Sequence, residues 1–251
     1  MTAEACTSPR LERAGFRHAF FTRNGGVSEG PYASLSFSLA AGDHPAHVAE
    51  NLRRASRVLG VDDGKILYLS QVHGKEVRRL VPTDSLERTL LREGDACFSD
   101  APGLACGVRV ADCVPILVGD QRTGAVAAIH AGWRGAVLGV VGEAVEALVQ
   151  IGSRAADLVA AIGPHISLEA FEIGEEVARE LEAAGCRIDR VRFDKPHADL
   201  RGLVAAELHR AGVSDVDHVE GCTLSDPARF FSYRRDGKES GRHLAAIAVR
   251  V

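Results

Sequence analysis

The chain has 251 residues, 46% hydrophobic and 25% charged, an ordinary globular composition with enough length to bury a sizeable core. Its net charge of −4 excludes a general attraction to nucleic acid or to an anionic membrane, and no apolar run approaches the ~18 residues of a membrane span. Six cysteines (Cys6, Cys97, Cys106, Cys113, Cys186, Cys222) fall without CxxC pairs, and the opening MTAEACTSPRLERAG mixes charges around no apolar core. Reduced thiols and no secretory signal are the expectation, hence a cytoplasmic protein.

Phe16 to Thr22 reads as a short apolar strand ending in Arg23-Asn24-Gly25-Gly26, a turn whose glycine pair would let backbone approach a ligand beside Arg23. Turns of this kind are more often structural. Pro45 to Leu59 has helical spacing, with Asp43 as cap and Gly60 as stop. Lys65 to Val72 is expected to be a strand delivering Gln71-Val72-His73-Gly74 to its end, and Glu76 to Val81 resumes extended structure. Pro82 to Glu93 reads as a polar surface excursion. Gly94-Asp95 leads into a strand from Ala96 to Ser99, and Asp100-Ala101-Pro102-Gly103 is a turn.

The rest of the chain is organised around Val108 to Val149, two apolar strands followed by an apolar helix. The first strand carries Asp112-Cys113 against Pro115. The second, Ala125 to Ile129, ends at His130, and Ala131-Gly132-Trp133-Arg134-Gly135 turns the chain into the helix. Apolar strands of this length are buried ones, so a histidine at the end of one sits at the rim of the core, within a ligand's reach. The free N–H groups of a helix start suit an anion or a polarised oxygen. Further strands are expected at Asp157 to Ile162, closed by Gly163-Pro164-His165, and at Ile188 to Phe193, Val216 to Cys222 and His243 to Val251. Gly174 to Ala184 is a helix stopped by Gly185, and Asp199 caps another from Leu200 to Ala211. Asp226-Pro227-Ala228-Arg229 opens one helical turn. Adjacent strand pairs lie too close in sequence for helical crossovers. The expectation is an α/β fold, one domain over residues 1–251, with packed mixed sheets flanked by helices.

His73, Cys113 and His130 each stand at a strand boundary among small residues. Two imidazoles and a thiolate suit zinc, and three protein ligands leave a fourth position open, as in catalytic zinc sites. Their separations are long and the chain has ten histidines, so the spacing alone is weak evidence against core or surface histidines and a buried cysteine. A second functional reading makes Cys113 a nucleophile and His130 its base, with no metal. Asp112 is either a general acid/base or a group binding backbone; in a strand it would face away from Cys113 unless Pro115 distorts the strand. Trp133, the only tryptophan, and Arg134 are candidate substrate contacts, although an arginine paired with a surface carboxylate is as common. The run Arg229 to Gly237 could cradle a base or phosphate, or pack as an ordinary turn. His165, a loop histidine, needs no function.

Taken together, FFTRNGGVSEGPYASLSFSL, QVHG (Gln71 to Gly74), ADC (Ala111 to Cys113), HAGWRG (His130 to Gly135), AIGPHISLEAFEIG and CTLSDPARFFSYRRDG resemble the laccase-domain family. Its members are also called polyphenol oxidase-like proteins, purine nucleoside phosphorylases or peptidoglycan editing factor, and the resemblance runs from about Gly15 onward. It implies an α/β fold of packed sheets with helices outside, like that of certain cysteine hydrolases, and zinc bound by His73, Cys113 and His130. It further implies phosphorolysis of adenosine, inosine and methylthioadenosine, with adenosine deamination as a second activity; read from the residues, Arg23, Arg134 and the helix N-terminus would hold the phosphate. The alternative it offers is removal of a wrongly incorporated amino acid from a peptidoglycan precursor. The chain departs from the family pattern after Gly163-Pro164, where a cysteine is common and His165 stands here. Copper is the alternative metal, but oxygen-reducing copper chemistry calls for clustered histidines, and the chain has no HxH pair.

Overall fold

Period-two alternation on two apolar strands, Val114–Asp120 and His243–Ala248, decides how the layers stack. The computed structural model describes residues 2–250. Its early strands are β1 (Ala5–Cys6), β2 (His18–Phe21), β3 (Ile66–Leu67), β4 (Val77–Arg79), β5 (Ala96–Ser99) and β6 (Ala105–Val110). Then come β7 (Val114–Asp120), β8 (Val126–Ala131), β9 (Leu158–Ile162), β10 (Ile188–Asp189), β11 (His197–Ala198), β12 (Asp215–His218) and β13 (His243–Ala248). The helices are α1 (Pro9–Arg13), α2 (Pro45–Leu59), α3 (Leu86–Thr89), α4 (Trp133–Val137), α5 (Val140–Gln150), α6 (Glu175–Ala183), α7 (Leu200–Arg210) and α8 (Tyr233–Asp236).

A five-stranded sheet runs β1-β2-β13-β6-β3, and a six-stranded sheet runs β12-β9-β7-β8-β5-β4. Both are mixed: β3 with β6, β4 with β5 and β12 with β9 are parallel, and the other pairs are antiparallel. On β7, Leu117 faces the layer between the sheets, meeting Cys106, Val108, Ala245 and Ile247 of the other sheet. Its neighbours Ile116 and Val118 face the opposite way, onto Val141, Val145 and Leu148 of α5 and Leu203 and Val204 of α7. On β13, Leu244 and Ala246 point outward to Ala55 and Leu59 of α2. The result is four layers, helix over sheet over sheet over helices, which is the mixed-sheet α/β architecture the sequence predicts. The segment leading into β2 packs closely on β7 where Gly119 faces Phe16, since a Cβ there would lie 2.5 Å from the ring. Each fully buried leucine or isoleucine of these layers contributes about 1.5–3 kcal/mol.

The structure departs from the expected elements in several places. Helix α2 is capped by His44, whose Nδ1 accepts the Ala46 N–H at 3.2 Å. Asp43 instead ties the loops together, accepting the His44 N–H at 2.8 Å and the Ser28 hydroxyl at 2.7 Å. The strand expected from Lys65 to Val72 pairs at Ile66–Leu67 and then through the isolated parallel bridge of Ser70 to Glu93, before the chain swings toward Asp95. The organising helix breaks in two at Gly139, which adopts φ +85°. Ile188 to Phe193 forms only the two-residue β10, since Asp189 caps a turn at Val191 and Arg192. Asp226 to Arg229 is a plain turn, and the helical turn begins at Tyr233, capped by the Ser232 hydroxyl. The two-residue β1 is too short to show a period, and the sequence reading misses α1, whose start is marked by the Ser8 cap and Pro9. Met1 and Val251, the ends of the expected domain and of the last expected strand, lie outside the described residues. Among the described residues no helix is long and apolar enough to cross a membrane, and all six cysteines are free.

Candidate active site

Pairing of β7 with β8 sets Pro115 opposite His130 and Val114 opposite Ala131. Cys113, one residue before β7, therefore lies beside the end of β8 that carries His130. The third donor arrives from another direction. After β3 the chain crosses to Asp95, whose carboxylate accepts the backbone N–H of Val72 (3.2 Å), His73 (2.9 Å) and Gly74 (2.7 Å). This turn holds His73 at φ +61°, a left-handed conformation that the three bonds sustain. Cys113 Sγ and His73 Nε2 are 3.8 Å apart, and the two imidazole rings meet edge to face at 4.9 Å. One ligand atom from each of His73, Cys113 and His130 falls within 4.8 Å of the others, so the three could hold a metal ion.

Asp95 does more than brace the loop. Its carboxylate accepts the Nδ1–H of His130 at 2.7 Å, and its carbonyl accepts the His130 backbone N–H at 2.7 Å. Sequence reasoning places Asp95 only at the start of a strand and misses this role. The signal was available in outline: a ligating imidazole needs an acceptor for its second nitrogen. Gly132 is the other silent requirement, because a Cβ there would lie 2.7 Å from the His73 ring and 3.2 Å from Cys113 Sγ. Gln71 clamps the loop to β6, donating to the Arg109 carbonyl at 2.7 Å and accepting the Arg109 N–H at 2.8 Å.

The electrostatics favour charge separation inside the triplet. Burial opposes ionisation of Cys113, but His130 and then His73 outweigh it and hold the thiol at about 6. Burial likewise opposes protonation of His130, and the Cys113 thiolate and Asp95 overcome it, raising the imidazole to about 9. Burial works against the Asp95 carboxylate too, yet His130 and the loop amides keep it below its ordinary value.

The triplet opens into a cavity of about 610 Å³. Trp133, Phe171, Tyr233, Ile166 and Leu200 give it apolar faces, and Arg109, Arg134, Arg234, Lys238 and Arg242 give it charge. Arg134 is exposed at the rim and stacks on Trp133 at 4.5 Å. Asp112 reaches the wall because it stands in a turn at φ +92°, outside any strand, and Pro115 does not distort β7. Its oxygens accept the Thr223 hydroxyl and the Arg234 N–H, both at 2.6 Å.

Arg23 is a correction. It does not line the cavity; its guanidinium is spent on the carbonyls of Ala33 (2.9 Å) and Pro227 (3.0 Å) and stacks over Phe231 at 4.5 Å. The glycine pair beside it admits backbone rather than ligand, since a Cβ on Gly25 would lie 2.2 Å from the Thr2 carbonyl. His165 is buried away from the cavity with Nδ1 on the Gly163 carbonyl at 2.8 Å. The run Arg229 to Gly237 divides: Phe230 and Phe231 are core, Arg235 binds the carbonyls of Thr223, Leu224 and Phe230, and Tyr233 and Arg234 face the cavity. Arg109, Arg242 and Phe171 are cavity residues that the sequence does not single out.

Two facing mixed sheets, with a His-Cys-His triplet beside the ends of β7 and β8 and a cation-rich cavity over it, define an α/β protein with a candidate metal centre. The chain belongs to the family described as multi-copper polyphenol oxidoreductase laccase, whose model matches residues 17–250. A purine nucleoside phosphorylase of Deinococcus radiodurans is 38% identical over 250 residues, covering 99% of this chain and 95% of the relative. The purine nucleoside phosphorylase YfiH of Escherichia coli K12 is 38% identical over 229 residues, 90% of each chain. The crystal structure of YlmD from Geobacillus stearothermophilus superposes with a TM-score of 0.89 at 30% identity, over 100% of this chain and 97% of that one.

Proposed function

We propose that the protein is a zinc-dependent purine nucleoside phosphorylase acting on adenosine, inosine and methylthioadenosine, with adenosine deamination as a second activity. The observation that carries this reading is the meeting, in one cavity, of a metal-ligating triplet, aromatic faces for a purine and cations for phosphate. The names of the relatives support it.

The donor set fits zinc. Sulfur and nitrogen on a tetrahedral zinc at ordinary bond lengths lie about 3.6 Å apart, and Cys113 Sγ and His73 Nε2 stand at 3.8 Å. His130, with Nδ1 fixed on Asp95, presents Nε2 as the second imidazole, the arrangement metal-bound histidines commonly use. A single His-Cys-His centre lacks the clustered histidines of oxygen-reducing copper sites, so copper is the lesser candidate. Zinc held there supplies Lewis-acid polarisation of a substrate oxygen or nitrogen.

The chain's own groups supply the rest. Trp133 and Phe171 offer faces on which a purine stacks, and cations of the cavity wall hold the phosphate. In phosphorolysis an oxygen of hydrogen phosphate bonds to C1′ of the ribose as the bond from C1′ to the purine breaks, and the departing purine takes up the proton that the phosphate gives up. Asp112, engaged by Thr223 and Arg234, positions the wall that carries Tyr233 and Arg234.

The test is hypoxanthine release from inosine and ammonia release from adenosine, each with and without phosphate. Inosine cleavage should require phosphate, adenosine deamination should not, and Cys113→Ala should abolish both. Robust amide cleavage of a UDP-linked muramyl-serine with only trace nucleoside turnover would replace this reading with precursor editing. Full activity in metal-free protein, lost on alkylation of Cys113, would favour the thiol nucleophile with His130 as its base.

A further inference from the structure

The cavity's five cations are Arg109, Arg134, Arg234, Lys238 and Arg242, and among the described residues none of them has an ion-pair partner. Two of the five lie deep in the wall. Arg109, on β6, stacks over Tyr68 at 4.7 Å, donates one bond to the Leu69 carbonyl at 3.3 Å, and keeps its Nε buried without a partner. Arg242, one residue before β13, lies over Tyr233 at 5.4 Å and bonds the carbonyls of Ser240 (2.6 Å) and Gly241 (3.0 Å) through one nitrogen alone.

The register puts these two diagonally across neighbouring chain segments, two residues apart. Leu244 pairs with Arg109, and Arg242 stands two residues before Leu244, so both arginines leave the same face of neighbouring strands. Burial lowers the proton affinity of both; for Arg242 the Cys113 thiolate pulls the other way, and Arg109 lowers it further. Arg242 thus feels both Arg109 and the triplet. Ser38 borders the same cavity, buried, with a hydroxyl that has no partner among the described residues. Its segment is tied to Arg242, whose carbonyl accepts the Phe37 N–H at 3.0 Å and whose N–H bonds Ser36 Oγ at 3.4 Å. Two partly desolvated guanidiniums without a carboxylate between them repel each other, and a doubly charged oxyanion satisfies both.

We propose that Arg109, Arg242 and the Ser38 hydroxyl form the subsite for a tetrahedral oxyanion, leaving Arg134 to the nucleoside end of the cavity with Trp133. The anion's identity as inorganic phosphate rests on the phosphorylase reading above. The subsite itself does not.

The experiment measures inorganic phosphate binding by calorimetry on the protein as purified, without nucleoside, beside steady-state inosine cleavage. Arg109→Gln and Arg242→Gln should each weaken phosphate binding roughly tenfold to a hundredfold and raise KM for phosphate in proportion, with zinc content and KM for inosine unchanged. Ser38→Ala should weaken phosphate binding by a smaller factor, and Arg134→Gln should raise KM for inosine instead. Unchanged phosphate affinity in both Arg109→Gln and Arg242→Gln, a loss confined to Arg134→Gln, or no phosphate binding at all would overturn the subsite. If loss of the Tyr68 stack unfolds Arg109→Gln, Arg242→Gln decides, with Arg242→Lys expected to recover part of the affinity. Phosphate binding that depends on both arginines in a protein that never cleaves inosine would uphold the subsite and overturn the phosphorylase reading. Phosphate-dependent cleavage indifferent to both arginines would do the reverse.

Discussion

Asp95 receives four hydrogen bonds on one fully buried carboxylate, three from the His73 loop and one from the His130 ring. Removing it leaves both imidazoles unsupported and the loop amides without an acceptor. Asp95→Ala should therefore lower zinc affinity about 10–100-fold, measured by chelator competition, and Asp95→Asn should recover only part of it, because an amide offers one oxygen. Affinity equal to that of the parent would show that His73, Cys113 and His130 orient themselves. The triplet was legible as three reactive side chains at strand ends by the rim of a core, and as a set only through the motifs that carry the family resemblance. Asp95 was not, because its importance lies in what the fold brings to it from residues 72–74 and 130. Arg23 misled for a related reason, since a glycine pair signals a close approach without saying by what.

At the scale of elements, the segment that carries Trp133 is cut by Gly139. Helix α4 ends there and α5 begins, with Gly139 at φ +85° and open space where a Cβ would stand. Gly139→Ala should fold and keep its activity but lose about 1–2 kcal/mol of stability from left-handed strain, read from urea midpoints. No loss would mean the two helices merge without cost. Elements with several apolar repeats or clear punctuation were readable: β5 falls where the sequence places it, and Asp199 caps α7 by accepting the Gly202 N–H at 2.9 Å. Two-residue pairings such as β1 and β10 have no period to read. The helix of Val108 to Val149 looked continuous because an apolar glycine-containing run does not show where φ turns positive.

Across the whole molecule, buried neutral histidines set the response to acid. Burial lowers the pKa of His18 and His165, and in His243 lowers it to about 3. Each resists protonation in the folded protein but takes up a proton near pH 6.5 once unfolded. The stability these three contribute is therefore complete above about pH 6.5 and is lost progressively as the pH falls toward the depressed values. His243 alone contributes a slope of up to about 1.4 kcal/mol per pH unit within that window. Urea midpoints should fall between pH 6.5 and 4, and His243→Gln should be less stable at pH 7, since Nε2 accepts the Phe231 N–H at 2.8 Å, yet show a shallower acid slope. An unaltered slope would assign acid loss to other groups. The order of strands within each sheet was the least legible feature at this scale, because alternation tells a strand which faces it has but not which neighbours.

The place of β13 has a consequence for synthesis on the ribosome. It lies between β2 and β6, bonded to both, yet it follows every other strand in chain order. Until residues 243–248 emerge, the five-stranded sheet exists as two halves with open inner edges, and the apolar layer beneath, Leu117 and Val126 included, lacks Ala245 and Ile247 above it. Such edges invite pairing with other chains. Nascent chains stalled before His243 should therefore be held by chaperones or aggregate, and the sheet closes in a single late step when that strand is released.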